Sequence, residues 1–227
     1  MLMDTMKFEL LPQCFYEPSA ETVALELLGH WLIRKTPKGF SGGPIVETEA
    51  YLADDPASHG FRGETARNRV MYGPPGRAYV YLIYGAHYCV NTVCQSVGRA
   101  EAVLIRAIEA EYGEDWMRKN RSVGTAISLT NGPGKLCAAL AIDRIFDGVD
   151  LCDRRSSLFV ARNPNLKSFL EQRAPVITTT RIGITRAAHL HLRFYLGGSE
   201  FISRRARQLL PQPNEPRGSI NPARPKC

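Results

Sequence analysis

The sequence has no apolar run near the roughly eighteen residues that a membrane-crossing helix needs. Its opening residues, MLMDTMKFELLP, do not combine a basic leader with a long apolar core. The expectation is an intracellular protein with no membrane partner. Six cysteines occur, at positions 14, 89, 94, 137, 152 and 227, and none stands in a CxxC pair. No histidine group has zinc-finger spacing, and the HxH of His189 and His191 does not by itself make a metal site. Reduced thiols are expected, with no metal and no cofactor. There is no internal repeat and no break in composition. One domain is expected over residues 1–209. Residues 210–227 read LPQPNEPRGSINPARPKC, a proline-rich basic tail without apolar period, and disorder is expected there.

Acids are scarce at the end of the chain. From Arg181 onward nine Lys/Arg meet only two Asp/Glu, whereas the residues before it hold twenty of each sign. The net charge of +7 therefore resides in the last fifth of the sequence. A second basic group is Arg62, Arg67, Arg69 and Arg77, with Glu64 the one acid among them. Such residues either solvate a surface or meet phosphates. A Walker loop is also absent. In NGPGKLCAALAI, Leu136 follows the lysine where Ser or Thr is required, and Leu129 stands where the first glycine is required. Pro133 suits a first helical turn instead.

What the chain does have is an aromatic hairpin. Residues 79–91 read YVYLIYGAHYCVN, with four tyrosines and a histidine. Tyr79, Tyr81 and Ile83 alternate with Val80, Leu82 and Tyr84, the period of two of a strand, and Gly85 supplies a turn. Tyrosines pair well across strands, so sheet stability alone could account for them. The other reading is that bases stack on the rings.

The rest of the chain reads as mixed α/β. Ser19 is an N-cap before a helix with Val23, Ala24, Leu27, Leu28 and Trp31 at helical spacing and Gly29 as its stop. HWLIRK and PIVETEAYL read as an antiparallel strand pair joined by the loop TPKGFSGG. A long polar loop runs from Ala53 to Arg77. AVLIRAIEA reads as a strand, EYGEDWMRKN and NGPGKLCAALAI as helices, and RIGITR, LRFYLGG and EFISR as strands. The fold expected is a single domain with a curved, mostly antiparallel sheet, flanking helices and a protruding aromatic β-hairpin.

VETEAY puts Glu47, Glu49 and Tyr51 on one face of a strand. A glutamate in a strand is against propensity and costly to bury unpaired. Arg106 is a second charge inside an apolar strand. A carboxylate and an arginine, each awkward alone, make sense as neighbours.

These residues carry a resemblance. VETEAY, the ASH of Ala57 to His59, TARNRVMYGPPG, YVYLIYG with Asn91, AVLIRAIE and NGPGKLCAALAI occur in the order found in the alkyladenine (3-methyladenine) DNA glycosylases. The chain resembles that family over about residues 8–203. The resemblance implies a monofunctional enzyme that flips damaged purines such as 3-methyladenine, 7-methylguanine, hypoxanthine and ethenoadenine out of duplex DNA. Water then attacks the sugar C1′ and leaves an abasic site. It implies Glu49 as the base that activates this water and Arg106 as the arginine that holds water and carboxylate. Tyr51, His59 and Tyr81 are implied as walls around the flipped base. Asn91 is implied as the residue that hinders the guanine 2-amino group, and Tyr84 as the wedge in the minor groove. The implied partner is double-stranded DNA bearing a damaged purine, met by a monomer in the nucleoid or nucleus.

The physics is consistent with that implication. Extruding a nucleotide costs a few kcal/mol, a planar wedge lowers the cost, and stacking recovers about 1–3 kcal/mol per base. A cationic alkylated base gains more from electron-rich rings and leaves without protonation. A neutral base needs a proton; the sequence names no donor, and His59 is a weak candidate. Two departures stand out. Ala86 and His87 occupy the hairpin tip where the family often has larger apolar residues, and HLHLRFY lacks the Pro-Trp common before Arg-Phe. The alternative reading is a non-catalytic lesion- or nucleic-acid-binding module on the same scaffold, and a formyltransferase-like enzyme is an analogy of fold only.

Overall fold

The computed structural model describes residues 8–206. The tail expected over 210–227 lies outside the described residues. The Ser19 side chain accepts from the Thr22 N–H and opens helix α1, Ala20–Glu26. Two strands follow, β1 Trp31–Thr36 and β2 Gly39–Tyr51, then the hairpin strands β3 Ala78–Ile83 and β4 His87–Cys94, then β5 Glu101–Ile108. Three short helices come next: α2 Glu114–Asn120, α3 Ala126–Thr130 and α4 Pro133–Ala139, with Pro133 in the first turn. The chain continues with β6 Leu158–Ala161, α5 Leu166–Gln172, β7 Val176–Thr179 and β8 Arg193–Leu196.

The strands form one curled sheet in the order β3-β4-β5-β2-β1-β6, with β8 on β2 and β7 on β8. Each of these pairings is antiparallel. The long strand β2 is the spine. Its first half pairs with β1, and its second half lies between β5 and β8. The start of β2 overturns the expected loop through FSGG. Gly42 and Gly43 let neighbouring backbones approach: a Cβ on either would lie 2.0 Å from the Leu32 carbonyl oxygen or 1.9 Å from that of Glu109. Here glycine marks crowding inside a strand, where the sequence pattern suggested a turn.

α1 packs on β2 and β5, and α4 packs on β4 and β5. Val23, Ala24, Leu27 and Leu28 from α1 and its C-terminal end, and Leu136, Cys137 and Ala139 from α4, enter the main core. Full burial of a side chain such as Leu27 stabilises by about 1.5–3 kcal/mol. A satellite of edge-to-face rings, Phe8, Trp31, Phe40, Tyr112 and Phe159, seals the β1 end of the sheet.

The exposed edge of β3 is tied down. The Asp147 carboxylate accepts from the Val80 N–H at 2.9 Å, and Arg67 donates to the Leu82 carbonyl at 3.3 Å. The hairpin is therefore held in place well before its tip.

Two expected strands are not strands. RIGITR contains Gly183 at φ +76°, and its Arg181 is drawn into a buried ion pair. EFISR turns so that Ser203 can meet Glu47. Tertiary contacts override the alternating pattern in both. Cys89, Cys94, Cys137 and Cys152 are free thiols, as expected, but Cys14 is disulfide-bonded. No helix among the described residues is long and apolar enough to cross a membrane.

Candidate active site

Four neighbouring strands offer one face to a cavity of about 450 Å³. The positions follow the period of two: Tyr79, Tyr81 and Ile83 on β3, Cys89 and Asn91 on β4, Ala102, Leu104 and Arg106 on β5, Glu49 and Tyr51 on β2. The walls are completed by Ala57, His59 and Met71 from the long loop, Pro133 and Gly134 at the start of α4, and residues 182–184. The size suits a small planar ligand. All seven residues singled out from the sequence, Glu49, Tyr51, His59, Tyr81, Tyr84, Asn91 and Arg106, line this one cavity.

Glu49 is fully buried at its wall. Its Oε1 accepts from the Ile182 N–H at 2.8 Å and lies 3.1 Å from Arg106 Nη1, while its Oε2 accepts from the Tyr51 hydroxyl at 2.9 Å. Charge-assisted bonds of this kind hold a carboxylate in one orientation. Burial, and next the neighbouring Glu49, pushes the Tyr51 hydroxyl far above the usual phenol range. Tyr51 is thus a neutral donor to the carboxylate.

Arg106 bridges to a second carboxylate. Its Nε donates to Glu47 Oε1 at 3.0 Å and its Nη2 to Ser203 Oγ at 3.2 Å. Glu47 also accepts from Arg193 Nε at 2.7 Å, Ser203 Oγ at 2.8 Å and the Ser203 N–H at 2.7 Å. Burial alone would lower the Arg106 guanidinium, but Glu49 and Glu47 reverse this and hold it above its ordinary value. Two carboxylates and two guanidiniums are balanced in a nearly dry cluster.

Aromatic groups form a further part of the wall. The His59 ring lies 4.5 Å from that of Tyr81 at 70°, and Tyr81 lies 5.4 Å from Tyr79. His59 Nδ1 is 2.9 Å from the Tyr79 hydroxyl, and the Asn68 amide donates to the His59 carbonyl at 2.8 Å. Burial, and then the charge of Arg67, lowers the His59 pKa. Burial raises the Tyr79 hydroxyl to about 12 and the Cys89 thiol to about 11. Asn91 donates to the Tyr79 carbonyl at 3.0 Å, which fixes its amide plane across the hairpin.

Tyr84 stands apart at the cavity mouth, 83 % exposed. It has φ +53° and Gly85 has φ +66°, in a three-residue loop that the Ala86 N–H closes on the Ile83 carbonyl at 3.1 Å. A tyrosine in that conformation costs roughly 1 kcal/mol. His87 packs against α4, where a Cβ on Gly134 would lie 3.0 Å from the His87 Cβ.

The expected arginine cluster is divided. Arg69 pairs with Glu64 and Arg77 with Asp150, while Arg67 reaches the β3 edge and lies 5.8 Å from the Tyr81 ring centroid. Among the described residues, no group of three or more His, Cys, Asp or Glu is arranged to hold a metal.

Several residues of the site escape sequence reasoning. The Ile182 N–H is a backbone group and leaves no mark in residue type. Arg193 had a findable signal, a charge inside the apolar LRFYL strand, the same anomaly that singled out Arg106. Ser203 had none beyond polarity.

Residues 14–200 match the family model described as Methylpurine-DNA glycosylase (MPG). Among curated relatives, a protein of Methanoculleus marisnigri named "Putative 3-methyladenine DNA glycosylase" is 48% identical over 86% of this chain and 99% of its own length. Proteins of the same name from Carboxydothermus hydrogenoformans and Nitrosospira multiformis are each 43% identical, over 86% and 87% of this chain and 100% and 95% of their own lengths. With most of the sequence matched by the family model and relatives aligned nearly end to end, the chain belongs to the methylpurine-DNA glycosylase family.

Proposed function

We propose that this chain is a monofunctional DNA glycosylase that releases damaged purines from double-stranded DNA, acting as a monomer. The single observation that carries the reading is Glu49. It is a fully buried carboxylate, oriented by Arg106, Ile182 and Tyr51, on the wall of a cavity sized for one base and faced by aromatic rings.

The chemistry follows from that arrangement. A flipped nucleoside places its base among Tyr51, Tyr81 and His59, with C1′ toward Glu49. A water held between Glu49 and Arg106 gives its proton to the carboxylate. Its oxygen bonds to C1′ as the N-glycosidic bond breaks, and the electron pair leaves with the base. Alkylated purines carry a positive charge and depart neutral. Deaminated purines need a proton. Burial and Arg67 keep the His59 ring largely unprotonated near neutral pH, so it is a poor donor for that step. Asn91, held by its hydrogen bond to the Tyr79 carbonyl, lines the cavity, where a guanine 2-amino group would compete with it for space. Tyr84 fills the gap left in the duplex.

The test is a panel of duplexes, each with a single lesion, scored for abasic sites. Release of hypoxanthine or 3-methyladenine is expected. Binding of lesion duplexes without release of any base would favour the non-catalytic alternative. Affinity is expected to fall by about 0.9 log units per phosphate contact for each tenfold rise in salt.

A further inference from the structure

Behind Tyr51 lies a buried ion pair that the reaction above does not use. The side chains of Arg181 and Asp55 are 0% and 1% exposed, and neither lines the cavity. Arg181 Nη2 donates to Asp55 Oδ1 at 3.0 Å, and Nη1 bonds both the other carboxylate oxygen and, at 2.9 Å, the Ala50 carbonyl. Its Nε has no partner. The guanidinium carbon lies 4.6 Å from the Tyr51 ring centroid. Tyr51 borders the cavity and Arg181 does not, so the cation sits against a ring of the cavity wall without entering the cavity.

An aromatic face attracts positive charge through its quadrupole. A cation against one face draws down the negative potential that the other face presents. Asp55 offsets part of this field. At the hydroxyl end of the ring, Glu49 and Arg106 offset each other.

We propose that Arg181 is a specificity-determining residue: its charge behind Tyr51 weakens the platform's preference for cationic alkylated purines and so admits neutral damaged bases, with Asp55 setting the strength of the effect. This rests on the glycosylase reading above. In the transition state a base that begins cationic retains part of its positive charge, whereas a base that begins neutral and is protonated only as it leaves carries less. Arg181 therefore disfavours the first more than the second, and the effect enters kcat/KM.

The experiment is a competition in one tube between a 7-methylguanine duplex and a hypoxanthine duplex, which reads the ratio of their kcat/KM values. Arg181→Gln is expected to raise the cationic-to-neutral ratio about fivefold. Asp55→Asn, which leaves the guanidinium uncompensated, is expected to lower it. Ratios that move in the same direction in Arg181→Gln and Asp55→Asn, or that stay unmoved while both bases are released, overturn the proposal. If Arg181→Gln is recovered unfolded, the sign of the change in Asp55→Asn decides alone. An unaltered chain that releases neither base overturns the glycosylase reading itself.

Discussion

Glu47 and Glu49 stand two residues apart on β2, are both fully buried, and share one guanidinium, Arg106. Their surroundings differ. Glu47 is bound by Arg106, Arg193 and Ser203 and does not line the cavity. Glu49 keeps acceptor capacity at the cavity wall. The same residue type, on the same face of the same strand, is enclosed by protein partners in one place and borders the cavity in the other. Burial does not separate them. Access to the cavity does.

The largest expected effect is on turnover. Glu49→Gln is expected to slow single-turnover base release by about 10²–10⁴-fold while lesion-duplex binding persists. Full activity in that variant would remove the distinction between the two carboxylates. Glu47→Ala is expected to act on folding instead. It leaves Arg193 without its buried carboxylate and Arg106 with Glu49 alone, a loss of about 3–5 kcal/mol by urea unfolding. Unchanged stability with lost turnover would reverse the roles assigned to the pair.

Acidification provides a third test, at a residue outside the site. His30 is buried, accepts from the Asn163 N–H, and has its pKa lowered by burial, and then by Arg162, from 6.5 to about 4. The unfolded chain takes up that proton first. Stability is therefore complete above pH 6.5 and declines as pH falls toward 4, by about 3 kcal/mol in all. A His30→Asn variant with an unchanged stability slope across that window would exclude this source. The smallest effect is at the hairpin tip. Tyr84→Asn relieves the positive-φ strain and is expected to raise stability by up to about 1 kcal/mol while weakening lesion-duplex binding. A drop in stability would show that the ring is held by packing rather than strained.

Much of the site is legible in the sequence because strands repeat at two. That periodicity alone puts Tyr79, Tyr81 and Ile83 on one face and Glu47, Glu49 and Tyr51 on another. The misfit of Arg106 in an apolar run points to a buried partner. RIGITR misleads for the same reason: it alternates as a strand does, yet Gly183 turns it and Arg181 is captured by Asp55. FSGG misleads in the opposite direction, since its glycines serve close strand packing.

The sequence by itself determined which faces are apolar, where the hairpin turns, and which charges must find partners, because these depend on local periodicity and on the cost of burying ions. Only the tertiary structure decided that Glu49 and not Glu47 meets the cavity, that the backbone of Ile182 holds it, and that a cation lies behind Tyr51. Those facts depend on contacts between residues more than a hundred positions apart, and no local pattern encodes them.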